Sequence, residues 1–79
     1  MKLPRNLDGE ELAKHLCRRW GYTKIHQVGS HIILQTEHPI AHRIAIPAHH
    51  PLKVGTLNAI LADVGAHKNA LKEAVLKDL

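Results

Sequence analysis

Two short connections between β-forming runs constrain this chain most. Tyr22 to Val28 mixes β-formers with polar residues and reads as a strand suited to a sheet edge. Gly29-Ser30 is a short turn, and His31 to Thr36 is a second strand built around Ile32-Ile33-Leu34. Glu37-His38-Pro39-Ile40-Ala41 is a hairpin loop, because Pro39 has no N–H to give a ladder. His42 to Ile46 is a third strand, with His42, Ile44 and Ile46 sharing one face. Loops this short join strands that run antiparallel, so the centre of the chain reads as a meander.

Helical patterns flank it. Asp8-Gly9-Glu10-Glu11 opens a helix that Asp8 can cap, with Glu11 at the capping-box position. Leu12, Ala13, Leu16, Cys17 and Trp20 form one apolar stripe. Arg18 and Arg19 suit the negative end of the helix dipole, and Gly21 ends the helix. Beyond an irregular basic loop from Pro47 to Val54, Thr56 or Gly55 is expected to cap a second helix carrying Leu57, Ile60, Leu61 and Val64. Gly65 is expected to stop it. A last helix is expected over Lys68 to Lys77, with Leu71, Val75 and Leu79 on one side. The order α-β-β-β-α-α predicts an α+β fold: a three-stranded antiparallel sheet with helices on one face and the other face open. Seventy-nine residues are enough for one small domain, residues 1–79.

Charge narrows the partners. The chain has 11 Lys+Arg against 7 Asp+Glu, and eight histidines add latent positive charge. That balance suits a polyanion, nucleic acid or acidic protein, and equally suits ordinary solubility. The single cysteine, Cys17, excludes an internal disulfide and reads as a buried, inert thiol. No stretch approaches the roughly 20 apolar residues of a membrane span. Met1-Lys2-Leu3-Pro4-Arg5 lacks the long apolar segment of a signal peptide, so a cytoplasmic protein without a membrane partner is expected.

Two segments can carry chemistry. Gly29-Ser30 places His31 at the mouth of a strand, and if Ile32 and Leu34 face the helices, His31 faces outward with Ile33 and Gln35. An imidazole can accept or donate a proton near neutral pH. Gly29 lets the backbone approach a phosphate, and Ser30 adds a hydroxyl donor. Taken alone, a bare Gly-Ser-His fits a solvated strand residue better than a catalytic one. The second segment leads into the second helix. Lys53, Gly55 and Thr56 sit where free N–H groups and the dipole attract anions, with His49 and His50 nearby. Simple capping is the better reading of that loop taken alone.

Together the two segments resemble the HicA family of toxin ribonucleases, small RNA-cleaving partners of HicB antitoxins. The second motif is carried by Ile46-Pro47, His49, Lys53-x-Gly55-Thr56-Leu57 and Ile60-Leu61, at the family's distance from Gly29-Ser30-His31. The resemblance covers roughly residues 8 to 65, and nothing is carried over to the tail from Ala66. It implies the double-stranded-RNA-binding fold and metal-independent endoribonuclease activity on mRNA, without a cofactor. It makes His31 the catalytic residue and puts Gly29, Ser30, Lys53, Gly55, Thr56, His49 and His50 at the phosphate. It also implies an acidic HicB-like antitoxin as partner. One departure is Ile32, where many members carry another histidine or an aromatic.

Other readings compete. His38, His42 and His49-His50 form a histidine-rich stretch, but Pro39 breaks the spacing and no cysteine or carboxylate completes a set, so no metal site is expected. Trp20 and Tyr22 are the only aromatics besides histidine, which argues against a high-affinity RNA-binding module. A non-catalytic duplex-RNA-binding module and a protein-interaction domain stay open as alternatives. Only Lys53 stands at the start of the second helix, where a duplex binder would spread several lysines.

Overall fold

Alternation along the middle strand sets the architecture. In the computed structural model, which describes residues 3–77 and Leu79, the elements are α1 (Gly9–Arg19), β1 (Thr23–Val28), β2 (His31–Thr36), β3 (His42–Pro47), α2 (Val54–Lys68) and α3 (Lys72–Leu76). Met1, Lys2 and Asp78 lie outside the described residues. Ile32, Leu34 and Thr36 are buried on β2, while His31 is exposed and Ile33 and Gln35 are half-covered. On β3, Ile44 and Ile46 are buried on the same side, with His42 half-buried beside them. Leu12 and Leu16 of α1 and Leu57, Leu61 and Val64 of α2 close over that face. Each fully buried Leu or Ile contributes roughly 1.5–3 kcal/mol relative to exposure. The fold is thus α+β in the order α-β-β-β-α-α, with the helices on one face of the sheet.

The sheet order is β1-β2-β3, antiparallel throughout. Val28 pairs with His31, so Gly29 and Ser30 alone turn the chain. Gly29 has φ +58 and Ser30 is not left-handed, the pattern of a type II′ turn, which twists in the sense that strands require. β1 is an edge strand, exposed at all six positions, with a bulge between Lys24 and His26.

The helix ends depart from several expectations. Asp8 is the N-cap of α1 but makes no side-chain capping bond; its carboxylate is paired with His50 instead. At the other end Gly21, φ +73, allows Tyr22 N–H to return to Leu16 O at 3.3 Å. The N-cap of α2 is Lys53, not Thr56 or Gly55, and it too makes no side-chain cap bond. Gly65 does not stop α2, which runs to Lys68 and ends on left-handed Asn69, φ 55. Gly65 serves a close approach: a Cβ there would stand 2.6 Å from Ala70 O, and Ala70 N–H donates to Gly65 O at 2.8 Å. α3 is consequently shorter than expected. Val75 is its buried residue, whereas Leu71 is 72% exposed. Buried His15 of α1 donates from Nε2 to Val75 O at 2.6 Å and ties α3 to the body.

Gly9 is the tightest point. A Cβ there would fall 1.8 Å from Pro47 O, so α1 begins directly against the end of β3. Gly9→Ala is therefore expected to cost about 1–3 kcal/mol in urea unfolding. Gly55 has nothing within 4 Å of its Cβ position. Gly55→Ala should leave stability unchanged or raise it by up to about 1 kcal/mol. Equal effects at the two positions would contradict this packing.

Candidate functional site

The exposed turn Gly29-Ser30-His31 is held from both sides by hydrogen bonds. Gln27 Nε2 donates to Gly29 O at 3.1 Å, and Ala48 N–H donates to Ser30 O at 2.6 Å. His31 stands opposite Pro47 across the ladder. Its ring projects to solvent because β2 alternates and Ile32 takes the core side. The turn, the histidine and the start of the 47–53 loop therefore form one backbone-linked unit.

That loop is fixed along its length. Gly9 N–H donates to His49 O at 3.0 Å, and Leu52 N–H donates to Leu7 O at 2.8 Å. Leu52 is buried, so the loop carries its own anchor. The imidazole of His50 is engaged with Asp8 through Nδ1, while the His49 side chain is exposed. The loop delivers exposed Lys53 to the start of α2. Leu57 N–H closes the first helical bond on Lys53 O at 2.9 Å, which leaves the N–H groups of Val54, Gly55 and Thr56 without helical acceptors. Packing gives no reason for glycine at position 55, since its Cβ position is open and its φ is not left-handed. A missing side chain there uncovers the first N–H groups, which suits an anion.

The predicted site residues thus fall into two groups. Gly29, Ser30 and His31 sit at the hairpin tip; Lys53, Gly55 and Thr56 sit at the head of α2, with His49 and His50 on the loop between. No hydrogen bond or ion pair joins His31 to Lys53 among the described residues. The loop backbone is what couples them.

A second polar cluster went unread in the sequence. At the far end of the sheet, Tyr22 Oη donates to His42 Nδ1 at 2.8 Å, and His42 Nε2 donates to Asp63 Oδ1 at 3.2 Å. A carboxylate can only accept, which places the neutral ring's proton on Nε2 and leaves Nδ1 to accept from the phenol. The His67 ring stacks on His42 at 4.2 Å. Lys68 Nζ donates to Thr36 Oγ1 at 3.0 Å and lies 5.1 Å from the centre of the Tyr22 ring. Burial holds the Lys68 ammonium below its ordinary range. Both nitrogens of His42 are committed, and no group of three or more His, Cys, Asp or Glu positioned to hold a metal occurs among the described residues. Cys17 is half-buried rather than sealed, and desolvation pushes its thiol pKa up.

A family model described as the HicA toxin of bacterial toxin–antitoxin systems matches residues 9–66. The class is thus the toxin half of a toxin–antitoxin pair. The chain belongs to the HicA toxin family. The matched span takes in both halves of the site and stops before α3. No curated protein and no solved structure matches the chain. No helix among the described residues is long and apolar enough to cross a membrane.

Burial, and secondarily the Asp63 charge, push the Tyr22 phenol from 10.0 to about 12. A raised acid binds more protons folded than unfolded, so the stability it contributes is complete below pH 10 and is lost as pH rises toward 12. Tyr22 is the only tyrosine, so ultraviolet titration reads it directly. The phenolate should appear with a midpoint near 12 in the folded protein and near 10 in urea. A folded midpoint near 10 would mean that Tyr22 is not buried against His42.

Proposed function

We propose that this HicA-family protein is an endoribonuclease that cleaves mRNA without a metal, within a single toxin domain formed by residues 1–79 and working in the cytoplasm. The observation that carries the reading is the exposed His31, fixed at the hairpin tip and joined through Ala48 to the loop that opens α2. The fold is read as a variant of the double-stranded-RNA-binding architecture.

Cleavage follows from the parts. His31 takes the proton of a ribose 2′-hydroxyl, and the 2′-oxygen forms a bond to the adjacent phosphorus. The bond from phosphorus to the 5′-oxygen breaks, and that oxygen leaves with a proton taken from protonated His49 or from water. The products are a 2′,3′-cyclic phosphate, or its hydrolysis product, and a free 5′-hydroxyl. Lys53 and the open N–H groups of Gly55 and Thr56 balance the charge that develops on the phosphate oxygens. Gly29 and Ser30 admit the backbone of the substrate, His49 adds a further contact, and His50 does so when it is released from Asp8.

The expected partner is an acidic HicB-like antitoxin that covers His31 and the basic loop. Charge complementarity then governs the rate of encounter more than the final affinity. The association rate should fall steeply between low and physiological salt; a rate indifferent to salt would remove electrostatic steering.

His31→Ala should reduce RNA cleavage in EDTA by at least about 100-fold, and induction of that variant should no longer arrest growth. Equal cleavage by both proteins, or none by either at high enzyme, would defeat the assignment. Tight duplex binding without turnover would instead identify a non-catalytic RNA-binding module.

A further inference from the structure

The matched motifs leave one large concavity unused. A groove of about 540 Å³ runs between α1 and the β1 side of the sheet. Ala13, Ile32, Leu34 and the half-buried Cys17 make an apolar floor. Lys14 and Arg18 stand on the helix rim, Lys24 and Gln27 on the strand rim, and Glu10 is the one carboxylate among the lining residues. The volume falls within the range of small-ligand clefts.

The groove has a direction. The Cys17 thiol meets the Lys24 backbone, which sets Cys17, Arg18 and the Lys24 main chain together at one end. At the other end α1 begins against Pro47, the partner of His31, so Glu10 lies toward the turn. Gln27 also lines the groove and donates to Gly29 O, so the groove ends where the turn begins. Lys24 Nζ reaches back along the strand rim to Gln27 Oε1 at 3.5 Å, so positive charge lines the groove from Lys14 and Arg18 on the helix to Lys24 on the strand.

His31 projects from the opposite face of the sheet. A chain that touches both must bend around the hairpin tip. Gly29 presents bare backbone there, with no atom within 4 Å of where a side chain would begin. An unpaired strand can follow that path; a stiff duplex cannot.

We propose that this groove is a subsite for one unpaired nucleotide of the RNA substrate, close in the chain to the linkage cleaved at His31. The base and ribose lie on the apolar floor, where the Cys17 sulfur and the aliphatic walls stand in for the missing aromatic platforms. The phosphate beyond them meets Arg18, Lys14 and Lys24, and Glu10 repels it from the start of α1. The inference rests on the cleavage reading for its meaning but is tested separately from it.

The test has two arms. In the first, ¹⁵N-labelled His31→Ala protein is titrated with a single-stranded pentaribonucleotide. Amides of Lys24, Gln27 and Cys17 should shift along with those of residues 29–31. K14Q/R18Q/K24Q on that background should bind about tenfold more weakly and with a shallower salt dependence. All three positions are exposed, and circular dichroism checks that the variant is folded. In the second arm, proteins that retain His31 are assayed on the pentanucleotide and on a dinucleotide. The triple variant should lower the ratio of kcat/KM values, pentanucleotide over dinucleotide, by about tenfold. Shifts confined to residues 29–31 and 48–56, or unchanged binding by the triple variant, would overturn the subsite. So would groove shifts produced by an acidic peptide and not by RNA. Groove shifts without cleavage of any RNA would sink the ribonuclease reading and leave the subsite standing.

Discussion

Three backbone hydrogen bonds around the 47–53 loop underlie the arrangement of this protein. Ser30 O receives Ala48 N–H, His49 O receives Gly9 N–H, and Leu7 O receives Leu52 N–H. Together they bring the hairpin tip, the start of α1 and the approach to α2 into one junction. The close contact of Gly9 with Pro47 leaves no room for a side chain, so the junction has essentially one geometry. His31 is then presented by a braced turn, and Lys53 by a loop that Leu52 nails into the core.

The polar chemistry is divided between the two ends of the strands. His31 opposes Pro47 at one end and Thr36 opposes His42 at the other. Five steps of roughly 3.3 Å put about 17 Å between them. At the His31 end the ring is exposed and its nitrogens are open to a ligand. At the His42 end the ring is enclosed by Tyr22, Asp63 and His67, and both nitrogens are spoken for. The same side chain type thus does different work: one imidazole is offered to solvent, the other fastens α2 to the sheet.

What could be read beforehand follows from how local each signal is. β2 and the loop after it were legible residue by residue, because Gly-Ser, the apolar alternation and Pro39 are contiguous signals. The face carrying His42, Ile44 and Ile46 was equally plain. The α2 start was misread because Lys53 serves as N-cap through its backbone, with no side-chain bond to advertise it. Gly65 was misread because a glycine that ends a helix and one that admits a neighbouring carbonyl look alike in a string; only Ala70, packed against it, tells them apart. The hairpin tip of the candidate site could be found from Gly29-Ser30-His31. The pairing of Asp8 with His50, and the Tyr22–His42–Asp63 chain, join residues 20 or more apart and left no trace in spacing.

α3 sits apart from this logic. It lies beyond the span matched to the HicA toxin family and is held by buried Val75, half-buried Leu76, the imidazole-to-carbonyl bond from His15 and a bond from Lys72 Nζ to Asn58 Oδ1 at 2.9 Å. Its attachment therefore asks little of the strands or of the hairpin. Evolution can rewrite such an appendage cheaply: altering position 15 and the residues beyond Ala70 changes the silhouette of the molecule while the hairpin tip keeps its shape.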